Sequence, residues 1–350
     1  MKLKLLFLVL LPFVCLAQIP KYYNSIDFSK TGDNLKTQLS TLITTTHIIN
    51  LPYTATGSTD VWDTLSQTDL DPNNSNKVLL VYGYNDTDTN VINDRSRGKN
   101  EQCHTSSCNG LWVREHTYAR SLGTPNLGFD LAGSDAHHLR AIDSQFNSLR
   151  SNKIYDDGVG NAAVLPNGNW YPGDEWKGDI ARMMMYMYVR YSTQCAATNI
   201  GAGSTAYSTF GDMPNIFLEW NAEDPVSPNE LTRNNVLNTL QGNRNPFIDN
   251  PYLANIIWNG PAANETWGLL SIKQNALSQI IVYPSITTDC IYISNPNNKN
   301  YTYSIFNNNG QNIKTNITGD KIDFSTNSKG LYLINLSNEN QSKNFKIILK

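Results

Sequence analysis

The most constraining feature of this 350-residue sequence is a change of pattern near residue 279. After it, short runs alternate apolar with polar residues, and turn residues such as Asn308-Asn309-Gly310 separate them. Alternation with a period of two and frequent turns is typical of antiparallel β-structure. Before it, helical spacing of apolar residues is mixed with short strand-like runs. We therefore expect an α+β protein, with a mixed helical domain over 18–275 and a small antiparallel β-sandwich over 280–350.

Within the first region, the spacing of apolar residues locates the elements. It predicts helices over 33–49, 177–191, 229–241 and 246–258, and a helix or part of one over 135–151. The helix over 177–191 is apolar on nearly every face, which indicates that it is buried. Short apolar runs predict strands at 77–84 and 111–118, joined by a polar loop.

The first 17 residues have the composition of an export signal. Two lysines precede an apolar run over 5–16, and small residues at the end of this segment predict cleavage before Gln18. The run is short for a bilayer span. Lipidation of Cys15 is the alternative, but Val14 stands where glycine or alanine is preferred. We expect a secreted or cell-surface protein without stable membrane insertion.

Four cysteines remain after the expected cleavage, and an oxidising compartment permits disulfides. Cys103 and Cys108 are close enough in sequence to close a small loop. A metal clip with His104 is the alternative, but zinc sites usually repeat a Cys/His pair, and no second pair has the right spacing. The disulfide is therefore the favoured interpretation.

The net charge of −3 argues mildly against nucleic acid as a partner. Residues 280–350 carry seven lysines against three aspartates and one glutamate, so the region before them is more acidic than the whole chain. Nucleic-acid binders are usually basic. Binding here would need a local basic patch, helped by a metal ion.

The densest polar cluster lies between residues 114 and 153 and holds three of the five histidines. Its members are Arg114, Glu115, His116, Arg120, Asp135, His137, His138, Arg140, Asp143, Asn147, Arg150, Ser151 and Asn152. Such groups are costly to bury unless they have a function. Phosphodiester hydrolysis needs a base with a pKa near neutrality, a hard divalent cation and arginine contacts to phosphate. His116 fits the base, and Glu115 and Asn147 offer oxygen ligands for the cation.

The two central residues of this cluster raise a geometric question. Glu115 and His116 are adjacent, so on a regular strand their side chains would point to opposite faces. Both can serve one site only where the strand ends or bulges. We therefore predict an irregularity at 114–117, with the helix that bears Asn147 packed across it.

Several segments resemble, in the same order, those of the bacterial endonuclease I family, whose members carry a ββα-metal (His-Me) finger. The segments are YGYND (82–86), DRSRGKN (94–100), REH (114–116), DAHHLRAID (135–143), NSLRSN (147–152), KGDIARMMMYM (177–187), DPVSPNELTRN (224–234) and QGNRNPFIDNP (241–251). The resemblance covers roughly residues 20–270. It implies that a ββα-metal finger is embedded in the mixed helical domain.

The resemblance also implies roles for the matching residues. His116 would be the general base, Glu115 and Asn147 would hold a single metal ion, and Arg150 would brace the phosphate. The candidates for substrate contacts are Arg114, Arg120, Arg140 and Asn152, and which arginine stabilises the transition state stays open. The metal is usually Mg²⁺, with Mn²⁺ or Ca²⁺ as substitutes. The family cuts DNA, and often RNA, with little sequence preference and leaves 5′-phosphate ends, which makes a monomeric secreted endonuclease the expected function.

The last part of the chain resembles the C-terminal sorting domain of the type IX secretion system. The segments that carry this resemblance are VYPSITTDCIYIS (282–294), FNNNGQNIK (306–314) and GLYLINL (330–336). Ser285 stands where asparagine is frequent in such domains. The resemblance implies the type IX machinery as a partner, and an ordinary β-sandwich adhesion module is the alternative.

Two other functions fit part of the sequence. A zinc metallohydrolase of another substrate class would use His104, His116, His137 and His138, but no HExxH motif is present and the spacings match no common zinc site. A non-catalytic secreted protein that binds surfaces would suit the sandwich and the acidic main region. Metal content and a cleavage assay separate these functions from the nuclease.

Overall fold

The computed structural model describes residues 18–105, 107–269, 280–295, 301–338 and 342–350. The chain divides into two compact units, residues 1–267 and 268–350. The predicted export signal, residues 1–17, lies outside the described residues. In the ranges given above, no helix combines the length and the apolar character that a membrane span requires.

The first unit mixes helices with short antiparallel sheets. Its helices α1 to α8 are Gly32–Thr46, Val61–Thr68, Ser144–Arg150, Lys177–Tyr191, Asn215–Glu223, Pro228–Leu240, Pro246–Asp249 and Leu253–Trp258. Its strands β1 to β7 are Leu70–Asp71, Asn74–Leu79, Ser96–Gly98, Trp112–His116, Leu139–Asp143, Ala163–Val164 and Trp170–Tyr171. Strands β1, β2 and β3 form one sheet, β4 pairs with β5, and β6 pairs with β7. This is the mixed α+β architecture that the sequence predicts.

The helical periodicity located most helices well. The prediction over 177–191 matches α4 at both ends, and that over 229–241 is displaced from α6 by a single residue. The prediction of a single helix over 246–258 is wrong, because this segment forms two helices, α7 and α8, with an interruption between them. The interruption falls at Pro251, which lacks an N–H and disfavours a helical conformation at Asn250 before it. Asn250 is accordingly extended, with φ −150° and ψ 96°.

The helix predicted over 135–151 is only half right. Its first part is β5, which pairs antiparallel with β4 from Leu139↔His116 to Asp143↔Trp112. All five residues of β5 are buried, so tertiary pairing with β4 decides the conformation of a segment whose apolar pattern also suits a helix. The helix α3 begins only after Asp143, whose side chain accepts hydrogen bonds from the N–H groups of Gln145 and Phe146.

The β4–β5 pair is anchored on the helices by one apolar cluster. Trp112, Leu139 and Ala141 of the two strands join Leu65 of α2 and Leu237 of α6, and all five side chains are buried. Each large apolar side chain buried in this way contributes roughly 1.5–3 kcal/mol to stability. The cluster therefore holds the end of β4, and the residues beyond it, in a fixed position on the helices.

The second unit is a small β-sandwich. Its strands β8 to β15 are Ile281–Tyr283, Ile286–Thr287, Cys290–Ser294, Thr302–Asn307, Asn312–Ile317, Lys321–Asp323, Gly330–Ser337 and Ser342–Leu349. Strands β13, β10 and β8 form one sheet, and β12, β11, β14, β15 and β9 form the other. Side chains from both sheets, among them Ile291 and Ile334, share one core. The pairing is antiparallel except between β15 and β9, which are parallel.

Three buried titratable groups just before β5 should make the first unit sensitive to acid. Burial lowers the pKa values of His137 and His138 to about 4. Burial opposes ionisation of Asp135, but His137, His47 and a hydrogen bond from Gln241 hold the pKa of this carboxyl well below its usual range. Between about pH 6.5 and 4 the unfolded chain therefore binds protons that the folded chain does not, so stability falls as the pH falls.

We expect each of these two histidines to remove about 1.4 kcal/mol of unfolding free energy per pH unit across that window. Thermal unfolding followed by circular dichroism from pH 7.5 to 4 would measure the slope. Replacing the exposed His104 with glutamine should leave the slope unchanged. A melting temperature that stays level between pH 6.5 and 4 would contradict the prediction.

Candidate active site

A polar cleft of about 430 Å³ lies at the end of β4. The residues that line it are Arg114, Glu115, His116, Ala119, Arg120, Ser121, Asn126, Asn147, Arg150, Ser151 and Asn152. All the candidate catalytic, metal-binding and substrate-binding residues from the sequence meet here except Arg140. The cleft is therefore the candidate active site.

The order strand, strand, helix brings these residues together. The pairing of β4 with β5 is regular from Trp112 to His116, with Glu115 opposite Arg140 and His116 opposite Leu139. The strand ends at His116, so the predicted irregularity is the strand terminus rather than a bulge. Because α3 follows β5 directly, Asn147 and Arg150 face the same cleft as the end of β4.

The imidazole of His116 is held in one orientation and one tautomer. Its Nε2 lies 2.8 Å from the carbonyl oxygen of Gly133. Because a carbonyl can only accept, Nε2 must donate its proton, which leaves the lone pair of Nδ1 unprotonated in the neutral ring. Burial, the neighbouring His138 and two nearby arginines lower the pKa of His116 well below its usual range. The ring is therefore a neutral base at pH 7.

The carboxylate of Glu115 is buried, with 2% of the residue exposed. The hydroxyl of Tyr82 donates to its Oε1 at 3.3 Å, and Nε of Arg150 lies 3.4 Å from the same atom. Burial raises the pKa of Glu115 to about 7, against the opposing effects of Arg150 and Tyr82. A buried carboxylate with such weak compensation is suited to receive a cation.

Asn147 supplies a second oxygen on the same cleft. It lies on α3, is partly buried, and its side chain makes no hydrogen bond to any residue that the structure describes. One carboxylate oxygen and one amide oxygen, completed by water, are the ligands that hard divalent cations prefer. The residues present therefore fit a divalent metal ion of this kind.

The histidines of the zinc alternative do not converge. His104 packs against Trp62, with ring centroids 4.8 Å apart. His137 and His138 lie within hydrogen-bonding distance of the carbonyl oxygens of Asn243 and Ala132. Across the described ranges, no group of three or more His, Cys, Asp or Glu side chains is placed to hold a metal ion.

The side chain of Arg150 hydrogen-bonds to the backbone at the end of β4. It is 1% exposed, and its two terminal nitrogens donate to the carbonyl oxygens of His116 at 3.3 Å and Thr117 at 2.8 Å. The hydroxyl of Tyr155 donates to the same Thr117 oxygen at 2.8 Å. This placement suits a residue that positions His116 and Glu115.

The two arginines at the rim of the cleft rest on aromatic rings. The guanidinium of Arg114 lies 3.4 Å from the centre of the Tyr53 ring and donates to the Tyr53 carbonyl oxygen. The guanidinium of Arg120 lies 3.6 Å from the centre of the Phe129 ring. Its buried Nε has no hydrogen-bond partner within the described part of the chain. Arg120 is partly exposed and lines the cleft, so its terminal nitrogens can donate to a ligand there.

Arg140 is not brought to the cleft. It is 2% exposed and lies 2.9 Å from Asp69 and 3.1 Å from Asp179. Two buried carboxylates compensate its charge, so it is a structural ion pair rather than a contact for substrate. Asn152 does line the cleft, where its side-chain amide donates to Ser121 Oγ at 3.3 Å.

Sequence reasoning missed the aromatic residues around the site. Tyr82 and Tyr155 are fully buried, and their hydroxyls lie 2.7 Å apart beside Glu115. Tyr53 packs against His116, with ring centroids 5.4 Å apart and an interplanar angle of 24°. Tyr53 and Tyr82 lie far from 114–152 in the sequence, and Tyr155 follows the segment by three residues, so no local pattern connects them with the polar cluster.

The disulfide between Cys103 and Cys108 is present, with Cα atoms 5.3 Å apart. It closes the loop just before β4, where the N–H of Cys103 donates to the carbonyl oxygen of Trp112 at 2.9 Å. Cys195 is free and buried, and Cys290 is also free.

A neutral histidine, a carboxylate and an amide that can offer oxygen atoms to a cation, and arginines at the rim are the groups that hydrolases of phosphate esters use. The sequence profile of the Endonuclease I family matches residues 31–252, and that of the secretion system C-terminal sorting domain matches residues 281–350. The chain belongs to the Endonuclease I family, and it is a secreted nuclease.

Two relatives are named as extracellular ribonucleases. The chain is 38% identical over 256 residues to that of Bacillus subtilis (strain 168), a match that covers 69% of this chain and 80% of the relative. It is 37% identical over 256 residues to that of Bacillus amyloliquefaciens, which covers 69% and 79%.

Proposed function

We propose that the cleft hydrolyses phosphodiester bonds of DNA and RNA with little sequence preference, with one divalent metal ion and with Mg²⁺ as the physiological choice. The observation that carries the proposal is the meeting of His116, Glu115 and Asn147 in one arginine-lined cleft. RNA is included because both relatives are named ribonucleases. In this assignment β4, β5 and α3 are the ββα-metal finger that the sequence predicts.

The reaction adds water to phosphorus and breaks the bond to the 3′ oxygen. Nδ1 of His116 takes the proton of the attacking water, while Nε2–H stays bound to the Gly133 oxygen and keeps the ring in place. A proton from a second water neutralises the leaving 3′ oxygen, so the products are a 5′-phosphate and a 3′-hydroxyl. Glu115 and Asn147 would hold the metal ion, which supplies positive charge for the phosphate and the leaving oxygen when it is bound.

The three arginines of the cleft have different roles, which follow from their contacts. Arg120 is partly exposed and lines the cleft, so the terminal nitrogens of its guanidinium contact the phosphate and stabilise the transition state. Arg150 holds the backbone that carries His116, and Arg114 adds positive charge at the rim. Together they provide the local basic patch that an acidic chain needs in order to bind nucleic acid.

A cleavage assay with the purified protein tests the proposal. Supercoiled plasmid and a single-stranded RNA are incubated with Mg²⁺, Mn²⁺, Ca²⁺ or EDTA, and the product ends are typed with a 5′-phosphate-dependent exonuclease. We expect nicking of DNA and cleavage of RNA with Mg²⁺, loss of both in EDTA, and 5′-phosphate products. Equal cleavage in EDTA would refute the metal requirement, and no cleavage with any metal would favour the surface-binding alternative.

The second unit has a separate role in this proposal. Residues 280–350 direct the chain to the type IX secretion machinery, and residues 18–275 act as a monomeric catalytic domain. Deleting 280–350 should therefore leave the protein inside the producing cell while the nuclease activity of cell extracts persists. Normal export of the truncated chain would contradict this division.

A further inference from the structure

An exposed aromatic side chain stands beside the active-site cleft. Phe129 keeps 49% of its surface in solvent, although phenylalanine is among the residues most often buried. It lies in the loop between β4 and β5, against two residues that already belong to the site, Tyr53 and Arg120. Packing within the described chain does not explain its exposure, so the ring is available to a ligand.

One aromatic ring, that of Tyr53, lies between Phe129 and the general base His116. The ring centroid of Phe129 lies 4.8 Å from that of Tyr53, which in turn lies 5.4 Å from that of His116. Its loop is also tied to His116 through the carbonyl oxygen of Gly133. A Cβ at Gly133 would overlap the carbonyl oxygen of Gly128, so the loop closes tightly around Phe129. The ring is therefore held at a set distance from the reacting centre.

Phe129 is also adjacent to the phosphate-binding arginine. The Arg120 guanidinium lies over the ring at 3.6 Å and lines the cleft at the same time. The Tyr53 ring is tilted against Phe129 at 42°, and about half of the Phe129 surface, 49%, faces solvent. A phosphate contact and a free aromatic surface thus lie side by side, as the phosphate and the base of one nucleotide do.

We propose that Phe129 stacks on one unpaired base of the substrate, and that the enzyme therefore prefers single-stranded RNA or DNA to a duplex. The inference rests on the proposed nuclease cleft. Stacking on aromatic side chains is the general means by which proteins bind single strands without reading their sequence, because every base has a π-face. In a duplex each base is paired and stacked between its neighbours, so it offers no free face until it is unstacked.

The test compares one oligonucleotide as a single strand and as a duplex, in RNA and in DNA form. The wild-type protein should have the lower KM for the single strand. Phe129→Ala should raise that KM about tenfold and leave the KM for the duplex and the melting temperature unchanged. Phe129→Trp should retain the wild-type KM. Phe210→Ala is the matched control, because Phe210 is 66% exposed in the same unit but, unlike Phe129, does not pack against Tyr53 or Arg120.

Each other outcome has a defined meaning. An equal loss on single strands and duplexes would show that Phe129 acts only by orienting Arg120, and would overturn the inference. An unchanged KM on both substrates would overturn it as well. If the wild-type protein cleaves neither substrate, the proposed function fails. The stacking is then judged by fluorescence anisotropy, in which Phe129→Ala should weaken binding of a labelled single strand about tenfold, and equal binding would reject it.

Discussion

Replacing His116 with alanine should lower kcat for plasmid and RNA cleavage by about 10²–10⁴-fold, the usual contribution of a general base. The reason is that Nδ1 of His116 is the cleft nitrogen that is both unprotonated in the neutral ring and fixed in orientation by Gly133. Steady-state kinetics at saturating Mg²⁺ would measure the loss. The variant should still bind the metal, because Glu115 and Asn147 are intact.

The control for this prediction is another histidine of the same unit. His104→Ala removes an exposed imidazole that rests on Trp62 away from the cleft, and it should keep full activity. The melting temperature of His116→Ala, measured in parallel, guards against loss of the fold. Near-full activity of a folded His116→Ala protein would show that another group takes the proton, and the proposed mechanism would be wrong.

Replacing Glu115 with glutamine should remove most of the activity at the Mg²⁺ concentration that saturates the wild type. It should also raise the Mg²⁺ concentration needed for half-maximal rate by about 10–100-fold. Glutamine has nearly the same shape but lacks the negative charge that holds a hard cation. In EDTA the variant should be no less stable than the wild type. Burial raises the pKa of this carboxyl to about 7, so the fold gains little from its ionised form when no metal is bound.

The same variant gives a second readout that does not depend on catalysis. A ligand that binds only the folded state raises the melting temperature. Mg²⁺ should therefore raise the melting temperature of the wild type but not that of Glu115→Gln. Glu101→Gln, at an exposed acid outside the cleft, should respond to Mg²⁺ as the wild type does. An unchanged metal titration of Glu115→Gln would refute its role as a ligand.

Local sequence patterns predicted the parts of this protein that depend on local chemistry. The spacing of apolar residues placed α4 at both ends, because a buried helix repeats its pattern over several turns. The alternation of apolar and polar residues after residue 279 predicted the sandwich, because the strands bury every second side chain in a shared core. The polar cluster at 114–153 included eight of the eleven residues that line the cleft and missed Ala119, Ser121 and Asn126; most were found because the site comes from one short segment.

The wrong predictions concern features that depend on contacts between residues far apart in the sequence. Residues 139–143 carry an apolar pattern that fits a helix, and only pairing with β4 makes them a strand. Arg140 is indistinguishable in sequence from Arg120, yet Asp69 and Asp179 take it out of the site. The aromatic surroundings of the cleft come from other segments, and no periodicity links Tyr53 or Tyr82 to His116.

All the residues that line the cleft come from one segment, 114–152. A catalytic apparatus encoded in one uninterrupted stretch can move between proteins as a single genetic unit, without the rearrangement that scattered residues would require. The rest of the chain must provide an apolar seat for the strand pair, as the cluster around Leu65 and Leu237 does here, and aromatic side chains that contact the site, such as Tyr53 and Tyr82. Transplanting this stretch onto an unrelated scaffold should therefore succeed only where the scaffold offers both the apolar seat and these aromatic contacts.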